Sequence, residues 1–569
     1  MSAKMPDPSR WFTDLMAAHK TMWGTAAPPA EGPDAPAAST LPWLQAAGDF
    51  ARWQQQAAQQ MTALWSGAKP ADAAPPGAPA PVADRRFAAD AWRKDPRFDS
   101  LVRAYLGQSE LMRKALAAAP LDERSKAQWG FMLRQVTDAL SPANFLATNP
   151  EAMQTALETG GASLTDGMRL FMQDLAKGRV SMVDDTAFEL GRNLAASPGS
   201  VVYENELMQL IQYAPSTAKV HARPLVIVPP CINKFYIFDL QPENSFVRYA
   251  VAQGHTVFMV SWRNVGPQQG RLRWDDYLEQ GVMQAIDVAR SVSRSELVNT
   301  LGFCLGGILL ASALAVMAAK GERKAASMTL LATMLDFSDT GDIGLLVSDP
   351  SARVREAQIG RGGVFKGREL AHVFAALRAN DLIWPYVVAG YLKGKAPPAF
   401  DLLYWNTDDA NLPGPMFCWY LRNTYIENKL RVPGGTQQCG VPVDLGQIDL
   451  PTFLYASRED HIVPWQTAYT STQLLKGDLT FVLGASGHVA GVINPPAAKK
   501  RSYWVGEVQT DAPTWLDQAR NEPGSWWTPW SAWLEGRAGR LVPAPKTPGN
   551  GQFAVIEAAP GRYVKAKAP

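Results

Sequence analysis

Residues 297–310 read Leu297-Val298-Asn299-Thr300-Leu301-Gly302-Phe303-Cys304-Leu305-Gly306-Gly307-Ile308-Leu309-Leu310, and this stretch decides the fold. It opens with strand character and ends in an apolar run that continues to Ala319. Between the two, Gly302, Phe303, Cys304, Leu305 and Gly306 have the spacing of a nucleophile elbow. Such an elbow is a sharp strand-to-helix turn that holds a reactive side chain clear of its own backbone, with glycines relieving the crowding. Most elbows carry serine; this one carries cysteine, and a thiol points to thioester or acyl chemistry. The charge-free residues 301–319 are long enough to imitate a membrane span. Gly302, Gly306 and Gly307 interrupt the front half, so a buried strand, a turn and a buried helix are expected instead.

Outward from the elbow, short β-branched or aromatic runs recur at residues 225–228, 256–260, 298–303, 328–331, 452–455 and 479–483. Amphipathic helices are expected between them at 277–292 and 308–319. This alternation predicts an α/β fold with a mostly parallel sheet covered on both faces, of the α/β-hydrolase type. The catalytic domain is placed at 201–569. Within it no comparable strand appears across 337–449, far beyond an ordinary loop. That stretch contains Phe374, Leu377, Trp384, Tyr386, Tyr391 and Trp405, and is expected to fold as a cap or lid above the elbow. A helical N-terminal domain is expected at 87–200. Residues 1–86 are read as tethered helices, one with Trp11, Phe12, Leu15 and Met16 and another with Phe50, Trp53, Met61 and Leu64, followed by an Ala/Pro-rich linker at 69–82.

A chain of 569 residues is too long for one core. With 47% apolar and 19% charged residues it reads as globular, and a net charge of +2 removes the electrostatic case for nucleic acid. The four cysteines, Cys231, Cys304, Cys418 and Cys439, lack the spacing of a zinc site or disulfide framework, so free thiols and no metal are expected. Met1, Ser2, Ala3 and Lys4 soon meet Pro6, Asp7 and Asp14 rather than an apolar run. No secretory signal and no transmembrane segment are therefore expected, and the expected location is cytoplasmic.

An elbow cysteine needs a base. Six histidines occur, and His372, His461 and His488 follow the nucleophile. The elbow fold orders its catalytic groups as nucleophile, acid, histidine, with the last two on loops after late strands. Asp460 and His488 stand in that order, each just beyond a predicted strand. His488 is assigned to take the Cys304 proton and return it to a leaving group. His461, beside the acid, is expected to sit behind the triad, and His255 is read as structural. For the oxyanion, the Leu305 amide is one donor. The second is sought in Val228-Pro229-Pro230-Cys231-Ile232-Asn233-Lys234, where the prolines donate nothing; Ile232 is the choice, with Cys231 next. Trp405, the 416–425 cluster and the tryptophans from Trp504 to Trp533 are read as core, with a channel or subunit contact as the alternative.

The chain resembles the polyhydroxyalkanoate synthases, most closely the class I (poly-3-hydroxybutyrate) enzymes. The resemblance is carried by PPCINKFYIFD at 229–239, GHTVFMVSWRN at 254–264, GFCLGG at 302–307, NLPGP at 411–415, SREDHIVPW at 457–465, GASGHVAGVINPP at 484–496 and PGRYVKAK at 560–567. It implies an acyltransferase that polymerises (R)-3-hydroxyacyl-coenzyme A, with 3-hydroxybutyryl-coenzyme A the expected substrate, into a polyester through a thioester on Cys304. Coenzyme A is then a leaving group, and no cofactor is implied. The resemblance further implies contacts of Arg378 and Asn233 with substrate or coenzyme A, a homodimer, granule association and phasin-like partners of the N-terminal domain. It leaves Asp460 two roles, orienting His488 or promoting attack by the 3-hydroxyl. A cysteine-dependent thioesterase would use the same triad with water as acceptor, and a granule scaffold would not use it at all.

Overall fold

The computed structural model describes residues 84–568. The two N-terminal helical patches and the linker at 69–82 lie outside the described residues. The described chain divides into two compact units. One comprises Asp185–His372 with the chain from Phe400 onward; the other comprises the residues up to Asp184 with Val373–Ala399.

The first unit is built on an eleven-stranded sheet. In chain order its strands are β1 Gly199–Glu204, β2 Met208–Tyr213, β3 Leu225–Val228, β4 Val257–Trp262, β5 Val298–Phe303, β6 Ala325–Leu331, β7 Thr452–Ser457, β8 Leu479–Gly484, β9 Ser502–Gly506, β10 Arg520–Pro523 and β11 Glu557–Ala558. Across the sheet they run β10-β9-β8-β7-β6-β5-β3-β4-β2-β1-β11. The six central strands, β4 through β8 with β3, are parallel, and antiparallel strands flank them on both sides.

The central strands are buried on both faces, which is why they read as continuous apolar runs rather than alternating ones. Polar residues within them bond internally. Ser327 Oγ donates to Asn299 Oδ1 at 2.7 Å, and Thr300 Oγ1 donates to the Ser327 carbonyl at 2.8 Å. From β3 the chain goes first to β4 on one side and then to β5 on the other. Such a reversal opens a crevice at the carboxyl ends of the two neighbouring strands. Val228 pairs with Gly302 there, so the elbow sits at the mouth of that crevice.

Helix Leu305–Ala319 follows β5 and is buried along nearly its whole length, a core helix apolar all round. Among the described residues no helix is long and apolar enough to cross a membrane. The tryptophans near the C-terminus are core: Trp515, Trp526, Trp527 and Trp530 are fully buried, and the last three surround Phe246.

The second unit is helical, with Pro96–Ala117, Glu123–Ala139, Pro150–Glu158 and Ala162–Lys177 as its main elements. Val373–Ala399 belongs to it because its polar groups and rings find partners there. Gln135 donates to the Ala376 carbonyl at 2.9 Å, Tyr391 donates to Asp174 at 2.7 Å, and Lys393 pairs with Glu151 at 2.8 Å. Phe171 meets Tyr391 edge-on, with centroids 5.3 Å apart. The long strand-poor stretch at 337–449 is thus shared between the two units.

Candidate active site

Cys304 has φ 51° and ψ −124°, a strained conformation for a residue with a β-carbon, between the last residue of β5 and the first of the buried helix. Its amide donates to the Leu331 carbonyl at 2.9 Å, which anchors the turn to β6. Gly306 explains the close fit on the other side. A β-carbon there would lie 2.3 Å from the Val228 carbonyl oxygen and 2.5 Å from that of Pro229. Only glycine lets the helix start approach the β3 turn this closely. Thr333 lies beside the elbow and spends its hydroxyl on the carbonyls of Leu331 and Cys304, at 2.9 and 3.3 Å.

The acid and the histidine come from the ends of β7 and β8. The loop after β7 is tied to the loop after β8, because the Arg458 amide donates to Gly484 and the Glu459 amide to Ser486, at 2.8 and 3.0 Å. Asp460 and His488 are thereby held together, with His488 Nδ1 2.6 Å from Asp460 Oδ2. The other carboxylate oxygen accepts from the amides of Ile462 and Val463 at 2.8 and 2.9 Å. The Asp460 side chain has no exposed surface. His488 stacks on Phe303, the residue before Cys304, with centroids 5.2 Å apart. Burial disfavours a charged imidazole, but the Asp460 carboxylate and the sulfur of Cys304 outweigh it and raise the His488 pKa to about 10. Cys304, Asp460 and His488 thus come from the ends of β5, β7 and β8, with His488 bonded to the carboxylate as the histidine of a catalytic triad is.

A family model described as the poly-beta-hydroxybutyrate polymerase N-terminus matches residues 83–250, and one for the alpha/beta hydrolase fold matches 224–495. The poly(3-hydroxyalkanoate) polymerase subunit PhaC of Cupriavidus necator is 50% identical over 99% of this chain and 96% of its own length. The chain belongs to the poly(3-hydroxyalkanoate) polymerase family. The subunit of the same name from Rhizobium meliloti is 41% identical over 85% of this chain and 80% of its own. One of the polymerases of Ectopseudomonas oleovorans is 39% identical over 84% and 86%.

The structure brings together Cys304, Asp460 and His488. The amide of Leu305 opens its helix and has no carbonyl to bond within it. The turn carrying Ile232 and Asn233 is rigidly held: the Ile232 carbonyl accepts from Ala410 at 3.3 Å, Asn233 bridges to Asp409, and Trp405 donates to the Lys234 carbonyl at 2.7 Å. His461 is half-buried and follows Asp460, whose carboxylate faces His488. His255 is buried against His221 with ring centroids 4.8 Å apart. Arg378 lies in the helical unit, 3.4 Å from Asp381.

Two features take on a role in the structure that the sequence did not assign them. The first is the C-terminal PGRYVKAK segment, which braces the turn after β3. Buried Lys234 donates to the Ala566 carbonyl at 2.7 Å, Lys567 pairs with Asp408 at 3.1 Å, and Arg263 donates to Tyr563 at 2.8 Å. The second is a pair of phenols, Tyr420 and Tyr425, whose rings meet edge-on with centroids 5.7 Å apart. Their spacing of five fits no α-helical face, so nothing in the sequence sets them apart from core aromatics.

Proposed function

We propose that this protein polymerises (R)-3-hydroxyacyl-coenzyme A thioesters into a polyester, releasing coenzyme A, through an acyl thioester on Cys304. The observation that carries the reading is Cys304 on the strained turn after β5 with the bonded His488–Asp460 pair after the neighbouring strands, in a chain half identical to a poly(3-hydroxyalkanoate) polymerase.

In the first step the Cys304 sulfur attacks the substrate carbonyl as His488 holds the thiol proton. The carbonyl electrons move to oxygen, where the Leu305 and Ile232 amides are the assigned donors. The carbon–sulfur bond to coenzyme A then breaks, and His488 returns the proton to the departing thiolate. One thioester replaces another of similar energy, so the acyl-enzyme is neither a sink nor a barrier. In the second step the 3-hydroxyl of a monomer or chain end attacks the acyl-cysteine. Its proton passes to His488, and an oxygen ester forms as a thiol is released.

The environment of Asp460 favours the orienting role. Both oxygens are engaged and the side chain is wholly covered, so a substrate hydroxyl has no free oxygen to approach. Arg378 and Asn233 are proposed as contacts of the coenzyme A portion, and a cytoplasmic, granule-associated homodimer as the working form. Incubation with 3-hydroxybutyryl-coenzyme A tests the activity: insoluble polyester with free thiol supports it, whereas free hydroxy acid with thiol and no polymer assigns a thioesterase.

A further inference from the structure

Among the described residues Lys234 is the only buried lysine, with 3% of its surface exposed, and it closes the turn at 229–234 that follows β3. An ammonium group is costly to bury, and burial draws its pKa from 10.5 down to about 8. Packing does not call for this residue, because a methionine fills the same space without a charge. The charge is used at the far end of the chain: Lys234 Nζ donates to the Ala566 carbonyl at 2.7 Å.

That carbonyl is a junction. It also accepts from Asn264 Nδ2 at 3.3 Å, and Asn264, two residues beyond β4, takes the Asn411 amide on its Oδ1 at 3.0 Å. The Ala410 amide, one residue earlier, donates to the Ile232 carbonyl at 3.3 Å. These bonds close a ring that runs from Lys234 through Ala566, Asn264, Asn411 and Ala410 back to Ile232. Lys567 fastens the same stretch a second time, since it pairs with Asp408 at 3.1 Å and Asp408 accepts from the Tyr236 hydroxyl at 2.9 Å.

The other end of the turn is fixed against the elbow. The Pro229 carbonyl accepts from Trp262 Nε1 at 2.8 Å and lies 2.5 Å from where a β-carbon on Gly306 would stand, two residues after Cys304. Ile232 and Asn233 are therefore held between a backbone contact at the elbow and the ring closed by Lys234. Of the ring's bonds to this turn, the one from Lys234 is made by a side chain, so it can be removed without altering the backbone.

We propose that Lys234 is a positioning residue for acyl transfer: by holding the Ala566 carbonyl it completes the ring that sets the Ile232 amide where an oxyanion formed at Cys304 needs a donor. This rests on the acyltransfer reading above and on Ile232 as the second donor. A donor displaced by about 1 Å costs about 10²-fold in rate.

The test is Lys234→Met in the full chain, with three measurements. The melting temperature is expected to equal or exceed that of the wild type, because exchanging a buried charge for an apolar side chain is neutral or stabilising and Asn264 still donates to the exposed Ala566 carbonyl. Single-turnover thiol release from 3-hydroxybutyryl-coenzyme A is expected to slow by about 10²-fold. Alkylation of Cys304 by iodoacetamide, which develops no oxyanion, is expected to stay within about twofold of wild type. The ratio of the two rates is what a merely structural role would not move. Thiol release at the wild-type rate would overturn the proposal, as would equal slowing of both reactions, with or without a lowered melting temperature. A wild-type protein that is alkylated at Cys304 but releases no thiol from the thioester would instead count against the acyltransfer reading itself.

Discussion

Nδ1 of His488 and Oδ2 of Asp460 lie 2.6 Å apart, and the remaining carboxylate oxygen is already held by two backbone amides. The carboxylate therefore fixes the imidazole with Nδ1–H toward itself, leaving the other ring nitrogen for the sulfur of Cys304. The two half-reactions depend on this to different extents. A thiol is acidic enough to give up its proton to a weakened base, whereas an alcohol is not.

Asp460→Asn is accordingly expected to slow acylation by about tenfold and elongation by about 10³-fold. Rapid-quench measurement of thiol burst and steady-state release separates the two. Equal losses in both steps would contradict the orienting role.

His488 provides a pH prediction. Its raised proton affinity comes from Asp460 and the sulfur acting against burial, so Cys304→Ala removes one raising cause. The imidazole of that variant is expected to titrate below the wild-type value of about 10 when followed by NMR. The associated stabilisation is fully present below the unfolded value of 6.5 and is lost as pH rises toward about 10. An unchanged midpoint in Cys304→Ala would show that the sulfur does not contribute.

His255 has the opposite sign. Burial and the neighbouring His221 depress its pKa from 6.5 to about 3. Below pH 6.5 the unfolded chain takes up a proton that the folded protein refuses, so stability falls as pH falls. The expected loss is about 2–3 kcal/mol between pH 7 and pH 4.5. Urea midpoints at these two pH values should differ less in His255→Phe than in the wild type; an identical difference would remove His255 as the cause.

Gly306→Ala places a β-carbon 2.3 Å from the Val228 carbonyl oxygen, and backbone on both sides leaves it no easy escape. A destabilisation of about 3 kcal/mol is expected, with loss of acylation because the elbow and the turn bearing Ile232 are forced apart. A melting temperature equal to wild type would show that the two backbones separate freely.

The legible part of this molecule is its parallel centre. β3 and β5 coincide with the predicted runs because strands buried on both faces are continuously apolar. The triad was equally legible, since the order of Cys304, Asp460 and His488 follows from strand order. The antiparallel flanks were not: β1 and β2 contain Ser200, Glu204, Gln209 and Gln212, whose polar groups disguise strands, and β11 is two residues long. Val373–Ala399 could not be assigned to the helical unit from sequence, because its partners Gln135, Glu151 and Asp174 lie more than two hundred residues away in the chain. Tyr420 and Tyr425 stayed hidden for a local reason. Their common direction depends on a π-turn, which leaves no periodic signature.

The most direct test of the account is where the acyl group goes. After brief exposure to 3-hydroxybutyryl-coenzyme A and acid quench, peptide mass mapping is predicted to find hydroxybutyryl units, singly and in short chains, on the peptide containing Cys304 and to find none in Cys304→Ala. Acyl groups on another residue, or thiol release by Cys304→Ala at the wild-type rate, would contradict it.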